Sequence, residues 1–289
     1  MTPRSRRISG SDGLDLHLLE WSTEGVALLL VHGFGNDAHI WDDFAPTVAP
    51  YYRVLALDQR GHGDSAWALH GEYEYEHFVA DLECVCESLA IDRFVLVGHS
   101  LGGRVAMLYG GEHPEKLAGL VIVDSAPEID ARGSTRIQME VGQHRDPSFE
   151  NVAEYEGLLL HNYPAAQPEA IRRMARSNLK QRSDGRWVLK MDPALRGAVG
   201  GMPSAEEQAT REQQNTAAMW KALEKIPCPT LVVRGAASDI ISPEIADRMA
   251  DEVLPKGQLA VVGRAGHSVM TDNPDGFRDA VLQFVVGEE

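Results

Sequence analysis

Long apolar runs are missing from this sequence, and nothing in it approaches the roughly 18 consecutive apolar residues that a membrane-spanning helix needs. A membrane is therefore not expected among its partners. Cysteine is scarce, three residues in 289. Cys84 and Cys86 stand two apart on an expected helix, where their side chains diverge, and Cys228 is remote from both. No metal-type spacing joins them, so neither a disulfide framework nor a cysteine-bound metal is expected, and a reducing cytoplasmic compartment fits best. Positive charge is also short: 27 Lys plus Arg against 43 Asp plus Glu give a net charge of −16. A surface of that sign repels phosphate backbones, which argues against nucleic acid as a partner. HExxH, a GxGxxG after a strand and GxxxxGK[ST] are all absent, so no metal or nucleotide cofactor is expected. No basic stretch followed by an apolar run opens the chain, and there are no internal repeats.

What is present is an alternation. A hairpin reading covers Arg7 to Leu18, with a Ser-Asp-Gly turn at Ser11 to Gly13. Continuous apolar runs follow at Val26–Val31, Val54–Leu57, Phe94–Val97, Leu120–Val123, Leu231–Val233 and Leu259–Val262. Such runs fit strands buried on both faces. Helical patterns at 38–48, 75–89, 101–111, 243–253 and 274–286 lie between or after them; the second carries Phe78, Leu82, Val85 and Leu89 on one stripe. Strands alternating with helices imply a mostly parallel sheet covered on both sides, the α/β class. From Ser125 to about Ala217 the alternation stops, leaving polar helical segments and turns. A structureless loop of that length does not suit a compact domain, so a helical insertion is expected there.

The sharpest local signal is Gly98-His99-Ser100-Leu101-Gly102-Gly103, directly after one apolar run and directly before a helix. Reversing from strand to helix in so few residues forces Ser100 into a strained backbone conformation. Glycines at 98 and 102 remove side chains that would collide. The turn lifts the hydroxyl clear of the sheet, as a nucleophile requires. It also sets the Leu101 N–H at a helix N-terminus, where negative charge is favoured.

With that elbow, the chain resembles the α/β-hydrolase family over nearly its whole length. His32-Gly33-Phe34-Gly35 resembles the family's oxyanion loop after the third strand. Asp58-Gln-Arg-Gly-His-Gly-Asp-Ser65 resembles the turn after the fourth, and Asp184 to Pro193 a segment late in the cap domain. The resemblance implies an eight-stranded, mostly parallel sheet flanked by helices, with a helical cap inserted after the sixth strand. It divides the chain into a core at 1–126 and 218–289 and a cap at 127–217.

The resemblance also implies a nucleophile, an acid and a histidine in that order. A serine hydroxyl is a poor nucleophile near neutral pH and needs a base, itself oriented by a carboxylate. Ser100 would be the nucleophile and His267, in the loop after the last strand, the base. Asp239, after the run Leu231–Val233, matches the family's usual acid, while Asp124, at the end of Leu120–Val123, stands where some relatives carry it. The backbone N–H groups of Phe34 and Leu101 would form the oxyanion hole. His99 is expected to point away from the serine, and His32 and His62 to brace their own turns.

The implied activity is that of a carboxylesterase or lactonase on small acyl substrates, through an acyl-enzyme. Carbon–carbon bond hydrolases of the same fold more often carry Gly-Asn-Ser at the elbow, against His99 here. Epoxide hydrolases and haloalkane dehalogenases place aspartate where Ser100 stands. A small-molecule receptor on this scaffold can keep the whole triad. Between Arg172 and Arg196 there are eight basic residues and two acidic ones. A helical face bearing Arg172, Arg176 and Lys180 would either attract a carboxylate-bearing substrate or simply be solvated.

Overall fold

The computed structural model describes residues 1–143, 147–196 and 204–287. Among the described residues, eleven strands form in chain order: β1 Arg4–Ser9, β2 Asp15–Glu20, β3 Ala27–Val31, β4 Arg53–Asp58, β5 Phe94–His99, β6 Leu117–Val123, β7 Ser148–Phe149, β8 Leu179–Gln181, β9 Trp187–Leu189, β10 Thr230–Gly235 and β11 Gly257–Val262. Eight of them make one sheet in the order β1-β2-β4-β3-β5-β6-β10-β11. β2 pairs antiparallel with both β1 and β4, and the remaining neighbours are parallel. The expected sheet is therefore present.

The apolar runs are continuous because both faces are covered. Along β3 and β4, Leu29, Val31, Leu55 and Leu57 enter one core, while Leu28, Leu30, Val54 and Ala56 enter the other. The helices Tyr75–Ser88 and Leu101–Glu112 close the first face with Phe78, Leu82, Val85, Val105 and Tyr109. Trp41, Phe44 and Phe277 close the second, Phe44 and Phe277 meeting edge to face at 5.0 Å. At about 25 cal/mol per Å² of apolar area, these two layers supply most of the driving force for folding.

Two local expectations need correction. The continuous helix expected at 38–48 is two short pieces, a 3-10 turn Ala38–Trp41 and a single α turn Ala45–Val48. Asp37 caps the first through the His39 N–H, and Pro46 suits the opening turn of the second. The region between β6 and β10 is not helical throughout. Beside the helices Ala131–Gln143, Val152–Asn162 and Pro168–Ser177 it holds a small antiparallel sheet, β7-β9-β8. The Ser183-Asp-Gly185 turn closes its β8–β9 hairpin, with Gly185 at φ 86°.

The long helix Ala205–Leu223 returns the chain to the core. Its end buries Met219, Ala222 and Leu223, and Ala222 sits so close that a Cβ on Gly111 would come within 2.5 Å of it. Arg104, buried on the helix after the elbow, donates to the carbonyls of Ala126 and Pro127 and pairs with Glu212, fastening both ends of the inserted region. Among the described residues, no helix is long and apolar enough to cross a membrane.

Candidate active site

The elbow is built as its residues require. Ser100 sits at φ 53° and ψ −114°, a region that non-glycine residues avoid and that costs about 1–3 kcal/mol to hold. A Cβ on Gly98 would lie 2.3 Å from the Gly102 carbonyl oxygen, and one on Gly102 would lie 2.5 Å from that of Val31. Only glycine allows the strand, the helix and the neighbouring loop to approach so closely.

Ser100 Oγ lies 3.0 Å from His267 Nε2, although 167 positions separate them. His267 reaches it from the loop after β11, and its Nδ1 lies 2.8 Å from Asp124 Oδ2. Asp124 can only accept when ionised, so Nδ1 carries the hydrogen and Nε2 is left to accept from the serine hydroxyl. The carboxylate on the imidazole is therefore that of Asp124, and the expectation of Asp239 in that place is corrected. Asp124 is fully buried and follows β6 in a left-handed conformation, φ 45°. The Gly235 N–H donates to its Oδ1 at 2.9 Å and the Ser238 hydroxyl to its Oδ2 at 2.6 Å. Asp239 is instead claimed by Arg136, at 2.7 and 3.0 Å, and those hydrogen bonds hold its carboxyl below the usual range.

The other singled-out residues fall as follows. His99 turns from the serine to donate its Nε2 hydrogen to the His267 carbonyl at 3.0 Å, with the two rings 4.8 Å apart. Burial holds it neutral, well below its ordinary pKa. His32 accepts the Gln59 N–H at Nε2 and donates from Nδ1 to the Gly33 carbonyl, bracing the loop that carries Phe34. His62 donates to the Arg60 carbonyl, and burial lowers it to about 3. Gly33 lies against the serine, since a Cβ there would come 3.0 Å from Ser100 Cβ. Leu101 begins its helix, so its N–H has no carbonyl a turn earlier to bond.

A cavity of about 790 Å³ opens above Ser100, lined also by Phe34, His99, His267 and Asp272. Phe149, Tyr155, Leu158 and Leu159, from the region between β6 and β10, give it apolar walls, and Arg132, Arg136, Arg196 and Asp239 add charged groups to its lining, Arg132 being paired with Asp130 and Arg136 with Asp239. The basic face read as either an anion site or a solvated surface lies away from the cavity. Arg172 pairs with Glu169 and Glu156, Lys180 lies 4.2 Å over the Trp67 ring, and neither they nor Arg176 line the cavity. His17, Asp58 and Asp64 offer ligand atoms within 4.8 Å of one another. Asp58, however, already accepts from His17 and from the N–H groups of Ala38 and Asp64, and none of the three lines the cavity.

Sequence reasoning missed Ser238 and Arg136. Nothing in their local sequence marks them, because both act on residues more than a hundred positions away.

The model of the alpha/beta hydrolase family matches residues 28–280. The chain belongs to that family. Similar proteins include the esterase Rv0045c of Mycobacterium tuberculosis, 26% identical over 89% of this chain and 81% of its own. The 2-(acetamidomethylene)succinate hydrolase of Mesorhizobium japonicum is 25% identical over 90% of this chain and 88% of its own. Among solved structures, an alpha/beta hydrolase from Novosphingobium aromaticivorans superposes with a TM-score of 0.81 at 29% identity, covering 99% of both chains.

Proposed function

We propose that the protein is a serine hydrolase that cleaves carboxylic esters, or lactones, of small acyl substrates through an acyl-enzyme on Ser100. The observation that carries this reading is the hydrogen-bonded line from Ser100 Oγ through His267 to buried Asp124, facing a cavity with apolar walls. Similarity to proteins named as an esterase and a hydrolase agrees with it.

The chemistry follows from the proton positions. Ser100 Oγ attacks the ester carbonyl carbon while His267 Nε2 takes the hydroxyl proton. Asp124 stabilises the resulting imidazolium and keeps the ring in the right tautomer. The tetrahedral oxyanion is received by the N–H groups of Phe34 and Leu101, each such donor being worth about 3–4 kcal/mol in the transition state. Collapse expels the alkoxide, which leaves as the alcohol with the proton from Nε2. Water, deprotonated by the same nitrogen, then attacks the acyl carbon, and the carboxylic acid departs as Ser100 regains its proton. His99, held neutral by burial, adds no competing charge beside the imidazolium.

Hydrolysis of p-nitrophenyl acetate and butyrate tests the reading. Many turnovers in the wild type and none above background in Ser100→Ala are expected. Activity that survives Ser100→Ala would refute it. A single stoichiometric burst would instead mark a ligand receptor, and turnover of dienoic diketones but not of esters a carbon–carbon bond hydrolase.

A further inference from the structure

The loop from Ala236 to Ile241, where an acid was expected, supplies a hydroxyl in its place. We propose that Ser238 is a positioning residue for the triad acid, and that its loop relays the seating of the helix Ala131–Gln143 to Asp124. The proposal rests on the serine-hydrolase reading above and deepens it.

The direction of the Ser238 hydrogen bond is set by its neighbours. The N–H groups of Ile240 and Ile241 both donate to Ser238 Oγ, at 3.1 and 3.3 Å. Those two donors occupy the oxygen's acceptor sites, so its single proton is committed to Asp124 Oδ2, 2.6 Å away. The same Oδ2 faces His267 Nδ1 at 2.8 Å, and both Ser238 and Asp124 are buried. With Gly235 N–H on Oδ1, the carboxylate receives three protein donors. One oxygen thus holds the imidazole while a second donor fixes that oxygen's direction. Removing the Ser238 hydroxyl would leave the Asp124 carboxylate held by the Gly235 N–H and His267 alone, with Oδ2 less firmly aimed at the imidazole.

The loop itself is gripped from two sides. On the core side, Ala236 N–H donates to Val262 and Ala237 N–H to Ala265, both at 2.9 Å. On the other side the residues just after Ser238 are held by the inserted region. Arg136 binds the Asp239 carboxylate with two nitrogens, and the Asp130 N–H donates to the Ile240 carbonyl at 2.9 Å. Gly133 presses so close that a Cβ there would stand 2.4 Å from the Asp239 carbonyl oxygen. Arg136 and Asp239 also line the cavity, so the grip stands within reach of an occupant. Movement of this helix is thereby passed to residue 238 and on to the acid.

A double-mutant cycle on the full chain, with p-nitrophenyl butyrate as substrate, tests both parts. Loss of a hydrogen bond to a charged group predicts that Ser238→Ala lowers kcat by about 10- to 100-fold and leaves KM within about twofold. Ser238→Thr, which keeps the hydroxyl, should recover most of the loss. In an Asp124→Asn background Ser238→Ala should cost nothing further; an equal loss in both backgrounds would overturn the positioning role. Arg136→Met and Asp239→Asn should each lower kcat by about 3- to 10-fold in the wild type and hardly at all in Ser238→Ala. Equal losses in both would overturn the relay. A second readout does not depend on turnover. The proton between His267 Nδ1 and Asp124 gives a low-field NMR resonance, which should move in Ser238→Ala, and an unmoved resonance would overturn the proposal. If no ester is turned over by the wild type, the functional reading fails separately while this resonance still decides the geometry.

Discussion

Asp124→Asn and Asp239→Asn are nearly isosteric changes whose expected losses differ by about three orders of magnitude. In Asp124→Asn, Oδ1 can still accept from Gly235 N–H. The new amide would then face two donors, His267 Nδ1–H and the Ser238 hydroxyl, at 2.8 and 2.6 Å from where Oδ2 stood. Two donors cannot face a third, so the imidazole must take its other tautomer, and Nε2 then carries a hydrogen and cannot accept the serine proton. Tautomer loss of this kind lowers kcat by about 10⁴-fold in serine hydrolases whose acid has been so changed. Asp239→Asn removes only a half-exposed pair with Arg136, whose direct worth is of order 1 kcal/mol or less. Less than about tenfold is expected there, through the loop alone. Steady-state kcat for p-nitrophenyl butyrate, with circular dichroism as a check on folding, separates the cases. A loss near 10⁴-fold in Asp239→Asn beside a minor loss in Asp124→Asn would refute the assignment.

Replacing His99 by Leu should lower kcat about fivefold through loss of the hydrogen bond to the His267 carbonyl, whereas His99→Asn, which can still donate, should lie between Leu and wild type; equal rates in all three would remove His99 from the site. Burial depresses His32, His62 and His99 in the folded state, so their contribution to stability is present above the unfolded value of 6.5 and lost as pH falls below it. For His62, lowered to about 3, that loss approaches a slope of about 1.4 kcal/mol per pH unit. Asp37 opposes them: burial and Asp58 raise it from 3.8 to about 6, so it favours the folded state at low pH and loses that as pH rises through 6. A net fall in stability between pH 6 and pH 5 is expected in urea titrations, because three depressed imidazoles oppose one raised carboxyl, and a flat profile would refute it. Gly98→Ala drives a methyl into the Gly102 carbonyl and should cost more than about 2 kcal/mol in the same titration.

The fold was legible because it is written in period. Runs such as Leu28 to Val31 have no polar alternation because the two cores take alternate residues from them. The β7-β9-β8 sheet escaped notice because strands of two or three residues carry too little pattern to register. At the site, Ser100 stood out because its turn needs glycines in fixed places, and His267 because it follows the last strand. The partners of the basic face were invisible for a different reason. Arg172 meets Glu156 and Lys180 meets Trp67 only after the inserted elements pack, and no local spacing encodes such pairings.

The acid shows where sequence order stops being informative. β6 and β10 are parallel neighbours, with Val123 opposite Val233. Asp124 and the loop after β10 therefore leave the same edge of the sheet side by side, about 4.8 Å apart at the strands. A carboxylate from either can reach one imidazole. Two features of the fold choose between them: the left-handed turn that bends Asp124 toward β10, and the arginine that draws Asp239 toward the inserted helix. If proximity is what counts, the acid can be moved. Exchanging the pair, Asp124→Ser with Ser238→Asp, puts a carboxylate where the hydroxyl now stands, with a serine able to donate to it. The double variant should then exceed Asp124→Ser alone by at least about tenfold in kcat, the worth of one hydrogen bond to a charged group. No gain over the single variant would mean that the backbone at Asp124, rather than the nearness of the two strands, selects the acid.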